Sequence, residues 1–501
     1  MKQKKKKYED RKILFNTIFP EEARAVIASG GVVEHFEIEN QVEKGIVGNI
    51  YIGEVENVEP ALHAAFVNYG GRRNGFLPFN EISPPALVSN RRSPKRKKAG
   101  EKENRVYLKK GDRIIVQVEK DESPLKGAVL TSYVSIAGRY LVLMLGMKKT
   151  GISKRIIDEK VRNKIKQQVE KLKVPENMGV IVRTVGANRK LKEFREDLKN
   201  LRSHMDLVKK RAKEMPRPGI LYAEQDLVTR ILRDHYDAGI TRIVVDTEES
   251  YERALNFLNV YSPKNRDELF MYKETTPIYE HYGIEEGIEG VFSKRVPLPS
   301  GGFLIIDVTE AFVTIDVNSG KSVKEKDIEE TAYKTNLESA KVIPGQLALR
   351  DLGGIIVIDF IDMEQRNHKR EVEKTVREGM RHDRARNSIG PMGKFSLMSL
   401  TRQRLGSSSL SLSYENCDHC DGEGKRKKVA SVSAQFFREV MKKTANGGNS
   451  VLKFSLSPSL FEYIVNQHSD RIKVLQGATG VSVELKIDIS LRGYSFSESS
   501  P

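Results

Sequence analysis

Between residues 311 and 318, Ala311, Val313, Ile315 and Val317 alternate with Phe312, Thr314, Asp316 and Asn318. A period of two predicts a half-buried strand with Asp316 and Asn318 on one face, about 7 Å apart along the chain. A second apolar run, Gly354-Ile355-Ile356-Val357-Ile358-Asp359-Phe360, also ends in a carboxylate. Further along, Val372, Val376 and Met380 recur at helical spacing and predict a core-facing stripe. Ser322 with Glu325 three residues later has the form of a capping box.

Elsewhere the pattern predicts several smaller bodies. Short strands flank Pro20-Glu21-Glu22-Ala23-Arg24, and a denser set of strand patterns follows at 48–55, 64–69 and 113–118, with the Asn74-Gly75 pair as a hairpin turn. Many short strands in so little chain predict a small barrel. Charged helices are expected near 158–172 and 191–214, and Met215-Pro216-Arg217-Pro218-Gly219 marks a boundary because two prolines break any helix. Helix and strand alternate from 224 to 275, and the last 70 or so residues read as a small α/β domain.

At 501 residues the chain exceeds one ordinary core, so three or more domains are expected. The net charge of +17 favours a polyanionic partner, nucleic acid ahead of an anionic membrane surface. No apolar run approaches the ~20 residues that span a bilayer, and nothing of signal-peptide type follows the lysine-rich start, so a cytoplasmic protein is expected. The only cysteines, Cys417 and Cys420, exclude a disulfide framework.

These residues allow several chemistries. A carboxylate beside a buried strand is costly unless neutralised. Asp316 and Asp359, if they converge, make an oxygen-lined site for Mg²⁺ or Mn²⁺; otherwise each caps a following turn. Phe66, Tyr69 and Phe76 among Arg72 and Arg73 suit the stacking of single-stranded bases, or the phenylalanines fill the barrel. Arg183 and Thr184, ending the run Gly179-Val180-Ile181-Val182, suit a phosphate monoester, although most strand-terminal arginines are surface residues. Cys417-Asp418-His419-Cys420 has zinc-knuckle spacing but supplies half a tetrahedron. Either His419 or an Asp completes the site, or two subunits each contribute a pair. A thioredoxin-like redox pair is the rival, without a βαβ unit before it.

Together these residues resemble the ribonuclease E/G family of endoribonucleases. The resemblance rests on Arg295-Val296-Pro297-Leu298-Pro299-Ser300-Gly301-Gly302, Ile315-Asp316-Val317-Asn318-Ser319, Asp327-Ile328-Glu329-Glu330-Thr331-Ala332 and Leu349 to Met363, which includes Asp359. It implies a multidomain α/β fold. An RNase H-like subdomain (13–37 plus 229–291) follows a basic disordered arm (1–12) and is interrupted by an S1 (OB-type) β-barrel (38–125, with a basic loop at 90–104) and a 5′-sensor region (126–228). A DNase I-like catalytic subdomain (292–413), a zinc link (414–425) and a small C-terminal α/β domain (426–501) complete it.

The resemblance also implies roles. Asp316 and Asp359 are expected to bind Mg²⁺, with Asn318 hydrogen-bonding the hydrated metal or the scissile phosphate. Phe66, Phe76 and Lys126 are expected to grip RNA, and Arg386 to lie near its path. Gly138, Val142, Arg183 and Thr184 are expected to read a 5′-monophosphate, and Cys417 and Cys420 to share a structural Zn²⁺ between two subunits of a homodimer or a dimer of dimers. The implied activity is Mg²⁺-dependent hydrolysis of single-stranded RNA to 5′-phosphate and 3′-hydroxyl ends, in rRNA maturation and mRNA decay. The implied form is the compact one, without a long C-terminal scaffold. Two other classes remain open: a non-catalytic S1-domain RNA-binding or ribosome-associated factor, which has no need of a carboxylate pair repelling phosphate, and a deoxyribonuclease, which matched RNA and DNA oligonucleotides would separate.

Overall fold

A computed structural model describes residues 10–40, 45–88, 108–122, 126–147, 150–156, 158–309, 311–320, 328–381 and 383–404, and then 413–415, 417, 419–420, 422, 424–445 and 451–498. The chain divides into two units, Met1–Leu412 and Ser413–Pro501. Ser322, Glu325 and the basic loop at 90–104 lie outside the described residues.

Four sheets build the larger unit. The first runs Leu269–Met271, Ile240–Val245, Arg11–Asn16, Ala23–Ser29, Val32–Glu39, so the start of the chain pairs in parallel with a strand more than 220 residues later. Its strands bury both faces. Ile13, Phe15 and Ile27 pack on helices Leu227–His235 and Glu248–Tyr261, while Leu14, Val26 and Phe36 pack on Ile278, Tyr279 and Ile288. Arg11 and Lys12, expected in a disordered arm, already belong to this sheet, where Arg11 bonds Glu34 and Asp237 at 2.7 and 3.0 Å.

The second sheet is a barrel ordered Gly219–Tyr222, Ile50–Glu59, Ala64–Asn68, Gly75–Pro78, Val129–Thr131, Arg113–Lys120, closed by pairing of Ile50–Glu59 with Arg113–Lys120. It extends past the expected end at residue 125. Gly219–Tyr222, just after the double-proline break, rejoins it rather than opening a new body. The link at Asn74-Gly75 is broader than a two-residue turn, since strands Ala64–Asn68 and Gly75–Pro78 are joined through residues 69–74. Gly53 faces the barrel interior, where a Cβ would lie 2.4 Å from Val67 Cγ1.

Beside the barrel, a four-stranded sheet runs Gly151–Ile152, Met178–Val182, Leu141–Leu145, Ser135–Ala137 and packs on helix Leu191–Glu214. The fourth sheet runs Arg295–Pro297, Phe303–Val308, Phe312–Asn318, Gly354–Asp359, Leu397–Arg402, Asn387–Met392. Its buried face, Val313, Ile315, Val317, Ile356 and Ile358, packs on Ile343 and Leu347 of helix Ile328–Leu349 and on Val372, Val376 and Met380 of helix Arg366–Met380, the stripe expected from spacing. Its other face is open, as period-two strands with one covered side require.

The smaller unit has helix Val429–Ala445 and the strand Val451–Leu456, followed by helix Pro458–Thr479 and a parallel strand Ser482–Ile487. Phe496–Glu498 adds antiparallel. Phe436, Phe454 and Leu456 form its core.

Candidate active site and RNA-contacting surfaces

The open face of the fourth sheet carries the carboxylates. Phe312–Asn318 and Gly354–Asp359 are neighbouring parallel strands, and their register places Asp316 directly beside Asp359. Both are exposed, and Asn318 Nδ2 donates to Asp316 Oδ2 at 2.9 Å. The pair therefore converges, and the reading in which each Asp caps a separate turn is not what the fold adopts. Desolvation pushes the Asp359 carboxyl up, and the like charges of Asp316 and Asp362 push it further. That is the electrostatic condition a bound cation relieves. The donors are hard oxygens open to solvent, and they fit a partly hydrated Mg²⁺ or Mn²⁺.

Residues that sequence reasoning passed over hold this face in place. Asn336, with no exposed surface, donates through Nδ2 to the Ile361 carbonyl at 2.8 Å and accepts the Ile361 N–H at 3.0 Å. It clamps the backbone two residues beyond Asp359. Ser396, buried and at φ +56°, donates to Asp362 Oδ1 at 2.9 Å. Glu329 accepts the Glu364 and Gln365 amides at 2.7 and 3.2 Å, beside the start of helix Arg366–Met380. A polar residue within an apolar helix stripe was the available signal for Asn336.

On the barrel, Ala65, Val67 and Leu77 are buried while Phe66 and Phe76 are half-buried cross-strand neighbours, their ring centroids 6.0 Å apart. The phenylalanines do not fill the core. Tyr69 does: it is 1% exposed and packs edge-on against Tyr51. Lys126 and Arg73 are exposed, and Arg72 lies 4.0 Å from Glu122. Two outward rings beside cations form a surface able to stack bases.

The fold also gathers Gly138, Val142, Arg183 and Thr184. Val142 pairs with Ile181 across the sheet, and Arg183 Nη1 donates to the Gly138 carbonyl at 2.8 Å. A Cβ on Gly138 would sit 2.7 Å from the Asp197 carboxylate, which caps the backbone of residues 139–141. Thr184 is exposed, its hydroxyl 3.4 Å from Ser153 Oγ. Arg183 is not bare: its Nη2 donates to Asp234 Oδ1 at 2.5 Å.

The Ribonuclease E/G family matches residues 135–405, and the S1 RNA binding domain matches residues 44–131. Ribonuclease G of Escherichia coli is 33% identical over 482 residues, covering 95% of this chain and 96% of that protein. The chain belongs to the ribonuclease E/G family. Ribonuclease E of Haemophilus influenzae is 36% identical over 477 residues, 94% of this chain and 50% of that protein. Ribonuclease E of Escherichia coli is 35% identical over 467 residues, 93% and 44%. The chain thus spans about half the length of these ribonuclease E relatives.

A third match, to the RNase E/G thioredoxin-like domain, covers residues 416–498 and begins at the cysteines. The βαβ unit missing before Cys417 follows it instead, as Val451–Leu456, Pro458–Thr479 and Ser482–Ile487. Cys417 is exposed and Cys420 half-buried, the two joined by a turn in which the Cys420 N–H donates to the Cys417 carbonyl at 3.1 Å. The Gly424 N–H donates to Cys420 Sγ at 3.2 Å. Among the described residues His419 does not join both sulfurs within the 4.8 Å spread of a shared cation site.

His35, Glu37 and His235 do meet that spacing, and their ligand atoms lie within 4.8 Å of one another. Two of the three already have an arginine partner, and the other Glu37 oxygen lies 3.0 Å from His35 Nε2. Arg384 donates to His235 Nε2 at 2.7 Å, and Arg230 donates to Glu37 Oε2 at 3.3 Å. The His35 and His235 rings lie with centroids 3.9 Å apart and planes tilted by 32°, so the cluster reads as a polar joint between the first sheet and the segment that follows helix Arg366–Met380. Arg384 is half-buried beside buried Ala385, while Arg386, expected on the RNA path, is exposed. Among the described residues no helix is long and apolar enough to cross a membrane.

Proposed function

We propose that this chain is an endoribonuclease that cuts single-stranded RNA in a Mg²⁺-dependent reaction. The observation that carries the proposal is the in-register pair Asp316 and Asp359 on the open face of the fourth sheet. Bound there, the metal would supply Lewis acidity to the scissile phosphodiester and to its attacking water. The protein's own part is to hold two carboxylates side by side and to keep the Asn318 side chain hydrogen-bonded to Asp316, from where its amide would donate to a phosphate oxygen. Phe66 and Phe76 would stack flanking bases, with Lys126 and Arg386 neutralising phosphates along the strand. Products would carry 5′-phosphate and 3′-hydroxyl ends, and the cellular roles would be rRNA maturation and mRNA decay.

Arg183 and Thr184, with Gly138 and Val142, would receive a 5′-monophosphate and raise the cutting rate. Cys417 and Cys420 would each give a thiolate to a Zn²⁺ shared with a second copy, so metal analysis should return one zinc per two chains; one per chain would remove the bridge. The deciding assay is cleavage of one short A/U-rich RNA bearing either a 5′-monophosphate or a 5′-hydroxyl, with Mg²⁺ or EDTA. Mg²⁺-dependent internal cutting, faster on the monophosphate, is expected. Tight binding without cutting would leave an RNA-binding factor.

A further inference from the structure

Arg183 and Asp234 are each about one-fifth exposed and meet at 2.5 Å. Asp234 is shared. Arg233 donates to it through Nε at 2.9 Å and Nη2 at 3.2 Å, and Arg233 is itself held by Glu224 at 2.9 Å. Arg384 donates to the Asp234 carbonyl. Burial pushes the Asp234 carboxyl up, but Arg233 and then Arg183 pull it down to about 2, so it is fully charged at neutral pH. Arg183 is pinned independently by the Gly138 carbonyl. Release of its Nη2 therefore leaves the guanidinium in place, and leaves Asp234 still paired with Arg233 rather than stranded in the interior.

We propose that Asp234 is a specificity-determining residue that competes with the RNA 5′ end for Arg183, an inference that rests on the 5′-monophosphate reading of this pocket. A 5′-hydroxyl brings no charge and leaves the pair intact. An internal phosphodiester brings about −1 and only exchanges one monoanion for another. A terminal monophosphate carries about −1.5 to −2 at pH 7 and three acceptor oxygens, so it gains from the exchange. The internal carboxylate thus sets a charge threshold. It keeps Arg183 from capturing the many internal phosphates of a long RNA and leaves it responsive to a monoester end.

The test uses the full chain and uncleavable 2′-O-methyl oligonucleotides with 5′-monophosphate, 5′-methylphosphate or 5′-hydroxyl ends, with dissociation constants read by fluorescence anisotropy. Asp234→Asn keeps the shape and removes the charge. The ratio of hydroxyl to monophosphate dissociation constants should grow about tenfold, and the methylphosphate end should gain affinity with it. An unchanged or falling ratio overturns the proposal, because a merely structural Asp234 would cost monophosphate affinity. Should Asp234→Asn fail to fold, Asp234→Ser makes the same comparison. Arg183→Ala separates the two layers. Collapse of the ratio to about one upholds the sensor and leaves Asp234 to be judged alone; no effect of Arg183→Ala removes both.

Discussion

Replacing Asn336 by Ala tests whether the catalytic face depends on its backbone clamp. The side chain has no exposed surface and makes two hydrogen bonds, at 2.8 and 3.0 Å, to the carbonyl and amide of Ile361. Each bond is worth about 1 kcal/mol net, and each backbone group left unpaired costs roughly 1–3 kcal/mol. Ile361 is half-buried, so water re-solvates part of the loss. A working figure is about 3 kcal/mol, which makes local opening roughly a hundredfold more frequent. In a chain of several bodies a single melting curve blurs such a change, so the assay is amide hydrogen exchange at Ile361. Exchange there should accelerate roughly a hundredfold. Cleavage should slow far more than RNA affinity weakens, because Asp359 lies two residues upstream. Unchanged protection at Ile361 together with unchanged turnover would refute the clamp.

Asp316→Asn or Asp359→Asn should abolish cleavage and leave RNA binding largely intact; near-normal turnover by either variant would remove the metal proposal. Phe66→Ala should weaken binding of single-stranded RNA by roughly 1–3 kcal/mol, and an unchanged dissociation constant would assign the ring to packing against Phe76 alone. Acid should loosen the joint at His35, Glu37 and His235. Burial pushes Glu37 up, but His35 and Arg230 bring it to about 2, below its ordinary 4.5, so its stabilisation is complete above about pH 4.5 and is lost as pH falls toward 2. At about 1.4 kcal/mol per tenfold change in proton affinity, and discounted for 31% exposure of the side chain, this is on the order of 2 kcal/mol. Burial, His35 and Arg384 keep His235 neutral, so unfolding also takes up a proton below about pH 6.5, with the same sign. Protection factors along Val32–Glu39, each referred to the intrinsic exchange rate at the same pH, should fall as pH drops from 7 to 3, even though the intrinsic rates themselves slow over that range. A pH profile of protection unaltered by Glu37→Gln would contradict this account.

The amino-acid sequence by itself determined which face of each local element is apolar. Period two at 311–318 put Asp316 and Asn318 on the polar side of a strand, and the structure leaves both there beside buried Val313, Ile315 and Val317. Helical spacing likewise placed Val372, Val376 and Met380 in the core. Tertiary structure alone decided what those faces meet. Asp316 and Asp359 become neighbours only through parallel pairing across an intervening helix, a register that no local pattern specifies. Phe66 and Phe76 are as apolar as Tyr69, and only barrel closure turns them outward while it buries Tyr69. Arg183 is a strand-end arginine in sequence; its partner Asp234 lies 51 residues away on another subdomain's helix end. Arg384 and Arg386 share one short motif, yet Arg384 is drawn against His235 and Asp234 while Arg386 faces solvent. Side-chain period is a property of the local backbone, whereas pairing, register and ion-pair choice are settled by which elements collapse against each other.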